Sequence, residues 1–330
     1  MKVYKPDYYD RFRCLASRCP DTCCKDWEVD VDEQTLAYYK TLSGPLGEQI
    51  RSCLKENEDG PAISMVEGKC PMCRQDGLCE LQVQLGHQAL SEVCREFPRI
   101  RHEYSGFTEL GLELSCPEAA RLILTEPYGF TELETAEPEE PEDDPYAMEV
   151  LQSTRREALK IAQNEALPIP QMLAHLLLYG YSAQNQLDGG GDAQPDSDLN
   201  QLEPILTVPD FHAVAEFFLG LEILTPRWRA LLEAPDLSGS WNSVHRAMTR
   251  YLIYRYWDQA ICDYDLAGRV KFMVLSVLLV KNLGGDPVDT AYLFSREIEN
   301  DADNVDAILD GCYTQPALTD QNLLSLLLNT

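Results

Sequence analysis

The chain has 330 residues, 45% of them hydrophobic, and a formal net charge of −28, so it can bury a sizeable core and has room for about two domains. The charge is uneven: residues 1–126 carry 15 Lys+Arg against 22 Asp+Glu, and the rest carry 12 against 33. That field repels phosphate backbones, which argues against a nucleic-acid partner, and it attracts cations such as a lysine-bearing protein surface.

The opening MKVYKPDYYDRFR has no apolar h-region and no small-residue cleavage site, so a cytoplasmic, bacterial-type compartment is expected. Glu28-Val29-Asp30-Val31-Asp32 alternates like a short strand, and Thr35 to Leu42 reads as a helix behind polar capping residues. Leu81 to Phe97 and Pro117 to Leu124 also read as helices, the second with proline in its first turn. Glu137 to Pro145 (EPEEPEDDP) combines prolines and carboxylates with nothing apolar to pack, as a linker does.

Beyond it, helical periodicity covers Tyr146–Ala166, Pro170–Gln186, Phe211–Leu224, Pro226–Ala234, Ser243–Ala260, Leu266–Leu283, Pro287–Asn300 and Asp320–Leu328, with a glycine-rich acidic loop at Leu187–Asp198. The longest apolar run, Phe272–Val280, is shorter than the about 20 residues that cross a bilayer, so no membrane partner is expected. The predicted fold is mainly α: a loop-rich cysteine/metal-cluster domain over residues 1–126, an acidic proline-rich linker over 127–145, and a helical bundle over 146–330.

Ten of the twelve cysteines fall in the first 116 residues, as Cys14-x4-Cys19-x3-Cys23-Cys24, Cys70-x2-Cys73-x5-Cys79, and single Cys53, Cys94 and Cys116. In a reducing compartment such density favours a soft metal over disulfides, and four thiolates suit either zinc or an iron–sulfur cluster. Vicinal Cys23 and Cys24 can meet one metal only where the backbone turns sharply. The Cys-x3-Cys-x2-Cys spacing of radical-SAM clusters is missing, because Asp26 stands where its third cysteine would be. Cys70-Pro-Met-Cys73 has no thioredoxin-like βαβ surroundings. The five histidines are scattered singly and read as ordinary surface or core residues.

Cys14, Cys19-Pro-Asp-Thr-Cys-Cys-Lys-Asp-Trp27, Cys70-Pro, Gly77-Leu-Cys79, Leu85-Gly86, Cys94 with Pro98-Arg99, and Leu114-Ser-Cys-Pro-Glu-Ala-Ala-Arg-Leu122 resemble the flagellin lysine-N-methylase family, FliB. The likeness continues in Tyr254-Arg255-Tyr256 and Ser295-Arg-Glu-Ile-Glu299 with Asn304, and is weak between about 127 and 245. The front half is also similar to YkgJ-type cysteine-cluster proteins. The resemblance implies a metal site drawn from Cys14, Cys19, Cys23, Cys24, Cys70, Cys79, Cys94 and Cys116, a [4Fe-4S] cluster with zinc as the alternative, and methyl transfer from S-adenosylmethionine to lysines of flagellin. Cys53, Cys73, Cys262 and Cys312 fall outside that pattern. Where the family motif leads one to expect a histidine after the Ser-Arg-Glu-Ile-Glu run, this chain has Asn300.

Lysine methylation needs a neutral amine, so the site must lower a pKa of about 10.4 by desolvation or by a nearby proton acceptor. Tyr254, Tyr256 and Glu299 are the candidate substrate-side residues, the tyrosines lying in the aromatic stretch Tyr251–Trp257. No strand precedes Gly189-Gly190-Gly191, so no Rossmann-type turn marks where S-adenosylmethionine binds. The competing readings are a zinc- or iron-binding interaction protein without methyltransferase activity and a redox or metal-delivery protein.

Overall fold

The longest apolar run forms the centre of the molecule. In the computed structural model, which describes residues 2–57, 60–134, 143–195, 199 and 207–329, the helix Leu266–Asn282 is buried along its whole length. Such a helix, apolar all round, belongs in the middle of a bundle. Its cations reach out to partners: Arg269 to Asp263 at 2.5 Å and Lys271 to Asp320 at 3.1 Å. The helices Ile169–Leu187, Ser243–Tyr256, Ala302–Thr314 and Pro287–Phe294 pack against it, and Pro145–Gln163 packs on Ile169–Leu187 and Ser243–Tyr256. Gly180 permits the closest approach, since a Cβ there would lie 2.7 Å from Val270 Cγ1. No helix among the described residues is long and apolar enough to cross a membrane.

Side-chain caps fix where these helices begin. Asp144, Asp210, Thr225, Asp265, Asp286 and Asp301 each accept from a backbone N–H in the first turn, and Asn242 pairs reciprocally with His245. The ends differ more from the sequence reading. Phe211–Leu219 stops five residues early, and Ser243–Tyr256 passes into a 3-10 turn at Asp258–Ile261. Leu81–Phe97 is three short pieces, Glu80–Leu85, His87–Ala89 and Glu92–Glu96, because Gly86 takes φ +84° and Ser91 is extended. Pro287–Phe294 widens into a π turn at Ser295–Glu299.

The strands are β1 (Lys2–Pro6), β2 (Val29–Asp30), β3 (Leu54–Asn57), β4 (Gly60–Ile63), β5 (Arg99–Tyr104), β6 (Phe107–Leu112) and β7 (Phe130–Glu134). One sheet has the order β5-β6-β1-β7, with β1 parallel to β6 and antiparallel to β7; the other has the order β2-β4-β3. The part before the linker therefore feeds two cores. Tyr8, Phe12, Phe107, Leu112 and Leu114 join the large helical core, while Val29, Tyr39, Ile50, Ile63, Met72, Leu81 and Leu90 make a small core of their own. Of the stretch 127–145 expected as a linker, Phe130–Glu134 forms β7 instead, pairing with β1, and residues 135–142 lie outside the described residues, as do residues 196–198 of the glycine-rich loop.

Candidate metal centre and adjoining cavity

The segment from Cys19 to Trp27 is held by its own polar atoms rather than by a helix. Cys24 N–H donates to Thr22 Oγ1 at 3.1 Å, Trp27 Nε1 to the Cys23 carbonyl at 2.7 Å, Cys70 N–H to the Cys24 carbonyl at 2.9 Å, and Asp26 N–H to the Gly68 carbonyl at 2.9 Å. Asp26 sits at φ +64°, a region a short polar side chain tolerates. The backbone thus turns at the vicinal pair. Cys23 and Cys24 both line one cavity of about 50 Å³, together with Cys70, Cys79 and Cys94.

A larger cavity of about 360 Å³ adjoins the first and is lined by Cys14, Cys19, Cys23, Cys94 and Cys116. All eight motif cysteines therefore face one or both cavities, Cys23 and Cys94 facing both. Cys53 and Cys73 line neither and pack against the small core; Cys312 is buried in the large core and Cys262 is exposed. All twelve cysteines are free.

Ala16 N–H points at Cys14 Sγ at 3.4 Å. Cys79 and Cys116 are the N-cap residues of Glu80–Leu85 and Pro117–Thr125, and neither side chain is used to cap its helix. Interaction among the Cys23, Cys24 and Cys79 thiols lowers Cys23 to about 7 and Cys79 to about 6 while pushing Cys24 well up. Burial raises Cys70 to about 11 and Cys94 and Cys116 to about 12. Among the described residues, no three His, Cys, Asp or Glu side chains converge closely enough to hold a metal ion as they stand. By its chemistry, the set of cysteine sulfurs gathered on the two cavities fits a soft metal, which must displace their protons on binding.

The C-terminal motif meets the cysteine loop directly. The π turn sends its three charged side chains in different directions, all buried. Arg296 donates to Asp21 at 3.3 Å, to Asp26 at 3.0 Å, to the Lys25 carbonyl at 3.1 Å and to Tyr292 Oη at 2.7 Å, while Tyr292 donates to Asp21 at 2.6 Å. Glu297 accepts from Leu224 N–H at 2.8 Å and from Thr225 Oγ1, and burial holds its carboxyl above the usual range. Glu299 accepts from Tyr256 Oη at 2.9 Å and from Tyr251 Oη at 3.3 Å, with Arg255 Nε 3.6 Å away. Asn304 bonds the Glu297 carbonyl at 2.9 Å. Asn300 shares a cavity of about 40 Å³ with Cys23, Asp26, Trp27 and Arg296.

The structure thus brings Tyr256 and Glu299 together but not Tyr254. Tyr254 donates to the Leu110 and Tyr4 carbonyls, at 3.0 and 3.3 Å, on the large sheet. None of the three lines either cysteine cavity. Glu113, absent from the sequence reading, does connect with them through two motif residues. Ser115 lines the larger cavity and donates to Glu113 Oε2 at 2.9 Å, and Arg255 Nη2 lies 3.8 Å from Glu113 and links it to Glu299. Burial, opposed by Arg255 and Ser115, leaves the Glu113 carboxyl raised. A glutamate three residues before a motif cysteine, at the end of the apolar Phe107–Leu112 strand, was the available signal.

No protein-family model and no solved structure matches the chain. Among curated proteins, it is 35% identical over 132 residues to a lysine-N-methylase of Salmonella typhimurium and 33% identical over 132 residues to a lysine-N-methylase of Salmonella choleraesuis, covering 38% of this chain and 33% of each relative. It thus spans about a third of the length of those two proteins. Over 132 residues, again 38% of the chain, it is 34% identical to the flagellar biosynthetic protein FliU of Salmonella muenchen and covers 78% of it. With the motif cysteines gathered on two cavities and FliU matched over most of its length, the chain belongs to the FliU and lysine-N-methylase family, the FliB family that its cysteine motifs resemble.

Proposed function

We propose that the chain methylates lysine side chains of flagellin, with S-adenosylmethionine as methyl donor and a cysteine-held [4Fe-4S] cluster in its N-terminal part. One observation carries the reading: eight motif cysteines face two adjoining cavities in a chain whose relatives include lysine-N-methylases. The ligands would come from Cys14, Cys19, Cys23, Cys24, Cys70, Cys79, Cys94 and Cys116, and when bound the cluster supplies a redox-active, Lewis-acidic centre at the edge of the larger cavity.

The chain's own groups handle the amine. A lysine entering the larger cavity loses hydration, which lowers its pKa. When bound, the donor would supply a sulfonium methyl; Ser115 Oγ would relay the proton released by the amine to Glu113, a buried carboxylate with a raised pKa. The net charge of −28 favours approach by a lysine-bearing surface.

The test is anaerobically purified full chain with labelled methyl donor and flagellin: label on flagellin lysines is expected, and its absence overturns the proposal. A second reading, a metal that only folds the N-terminal part, draws support from Cys24, Cys70, Cys79 and Cys94 packing in the small core. Zinc in place of iron, with no methyl transfer, would favour it.

A further inference from the structure

We propose that the larger cavity binds a small molecule through its carboxylate, with Arg99 as the principal anchor and Arg95 and Arg13 in support. The ligand is S-adenosylmethionine, seated by its α-carboxylate, an assignment that rests on the methyl-transfer reading above.

The cavity's about 360 Å³ falls in the range of small-molecule sites, roughly 300–1,000 Å³. Its walls divide by chemistry. Phe12, Leu15, Leu90 and Phe97 give an apolar surface suited to a flat heterocycle, and Arg13, Arg95 and Arg99 face the same space. Among the described residues lining it, Glu118 is the only acid, and both of its oxygens are already taken by Arg121 at 2.9 and 2.8 Å. In a chain of net charge −28, three guanidinium groups around one cavity with no free acid make a local anion site.

The three arginines are held without using a carboxylate at close range. Arg99 opens β5, and its guanidinium lies over the Tyr9 and Phe12 rings, 5.6 and 5.4 Å from their centroids. No carboxylate partner for it appears among the described residues. Arg13 is fixed by the Asp10 and Phe12 carbonyls at 2.8 and 2.6 Å. Arg95 takes the Leu90 carbonyl at 3.3 Å, with Glu96 3.8 Å away. Rings and carbonyls thus orient forks whose remaining N–H groups match a carboxylate.

The experiment measures binding of S-adenosylhomocysteine, which keeps the carboxylate, and of 5′-methylthioadenosine, which lacks the amino-acid arm, to the metal-loaded full chain. Losing one charged hydrogen-bonding fork corresponds to about 10-fold to 100-fold in Kd. Arg99→Gln should weaken S-adenosylhomocysteine by that factor, leave 5′-methylthioadenosine unchanged and leave iron per chain unchanged; Arg99→Lys should fall between. Arg95→Gln, which spares the ring contacts, should shift the same ligand selectively if Arg99→Gln misfolds. Arg101→Gln, an exposed residue of the same strand paired with Glu103, should change nothing. Unchanged S-adenosylhomocysteine binding in both Arg99→Gln and Arg95→Gln overturns the anchor and leaves the methyl-transfer reading standing. Loss of iron in step with loss of ligand also overturns it, because the arginines then serve the metal. Failure of the unaltered chain to bind S-adenosylhomocysteine overturns both readings, whereas binding without methyl transfer to flagellin overturns only the function.

Discussion

Arg296→Met removes the contact between the two motifs while keeping most of the side chain's apolar stem. Four bonds go at once: those to Asp21, Asp26, the Lys25 carbonyl and Tyr292. Charged hydrogen bonds contribute about 1.5–3 kcal/mol each, but Asp21 and Asp26 keep 25% and 21% of their side-chain surface in water, so screening reduces the total to about 2–4 kcal/mol. With a urea slope near the top of the usual range, about 3 kcal/mol per molar, the midpoint should fall by about 1 M. Because Asp21 and Asp26 flank Cys23 and Cys24, iron per chain should fall as well, and Arg296→Lys should recover part of both. Urea titration monitored by circular dichroism, with iron assayed on the same samples, checks this. A variant with unaltered midpoint and full iron would refute the claim that the π turn braces the cysteine loop.

Cys79→Ser should lose most of the bound metal because its thiol, lowered to about 6, is among the readiest ligands, whereas exposed Cys262→Ser should retain it; metal analysis after anaerobic purification distinguishes the two. Glu113→Gln should lower kcat by about 100-fold with little change in KM, the signature of a lost proton acceptor in steady-state methyl transfer. His245 is 2% exposed and burial lowers its pKa to about 4, so the unfolded chain, near 6.5, binds the proton more readily. Stability is therefore fully present above about pH 6.5 and drains as pH falls towards 4, by about 3 kcal/mol from this one group. Melting temperature against pH should flatten in His245→Asn across that window, and an unchanged slope would contradict the assignment.

Long periodic helices were legible from the sequence because one stripe of each must be apolar, and Leu266–Asn282 was legible even without a stripe because every face is buried. Gly44–Cys53 and Ala302–Thr314 were not read, the first short and glycine-rich, the second carrying three aspartates in thirteen residues. The Arg99–Tyr104 and Phe107–Leu112 hairpin was also missed. Arg101 and Glu103 alternate outward, but the parallel pairing of Phe107–Leu112 with Lys2–Pro6 joins residues about a hundred apart, which no local pattern announces. The same holds for the site. The family motif picked out eight cysteines that the fold brings to two cavities and included Pro98-Arg99, yet it says nothing of Arg99's role, which depends on Tyr9 and Phe12 lying beneath it.

The π turn explains why the two most specific stretches of sequence lie so far apart in the chain. An α-helix continued through Ser295–Glu299 would space its side chains at 3.6 residues per turn, and the added residue of a π turn re-aims them. Arg296 then reaches the cysteine loop, Glu297 caps the segment at Leu224–Thr225, and Glu299 closes on Tyr251 and Tyr256. Each is a buried charge that would be costly alone and is satisfied only when all three neighbours are in place. From Glu299 the polar contacts run through Arg255 to Glu113 and Ser115 at the larger cavity; from Arg296 they run to the loop bearing Cys23 and Cys24. One five-residue turn therefore sets the position of the proposed proton acceptor relative to the proposed metal ligands. A substitution there should disturb metal content and amine deprotonation together, although the turn lines neither cysteine cavity.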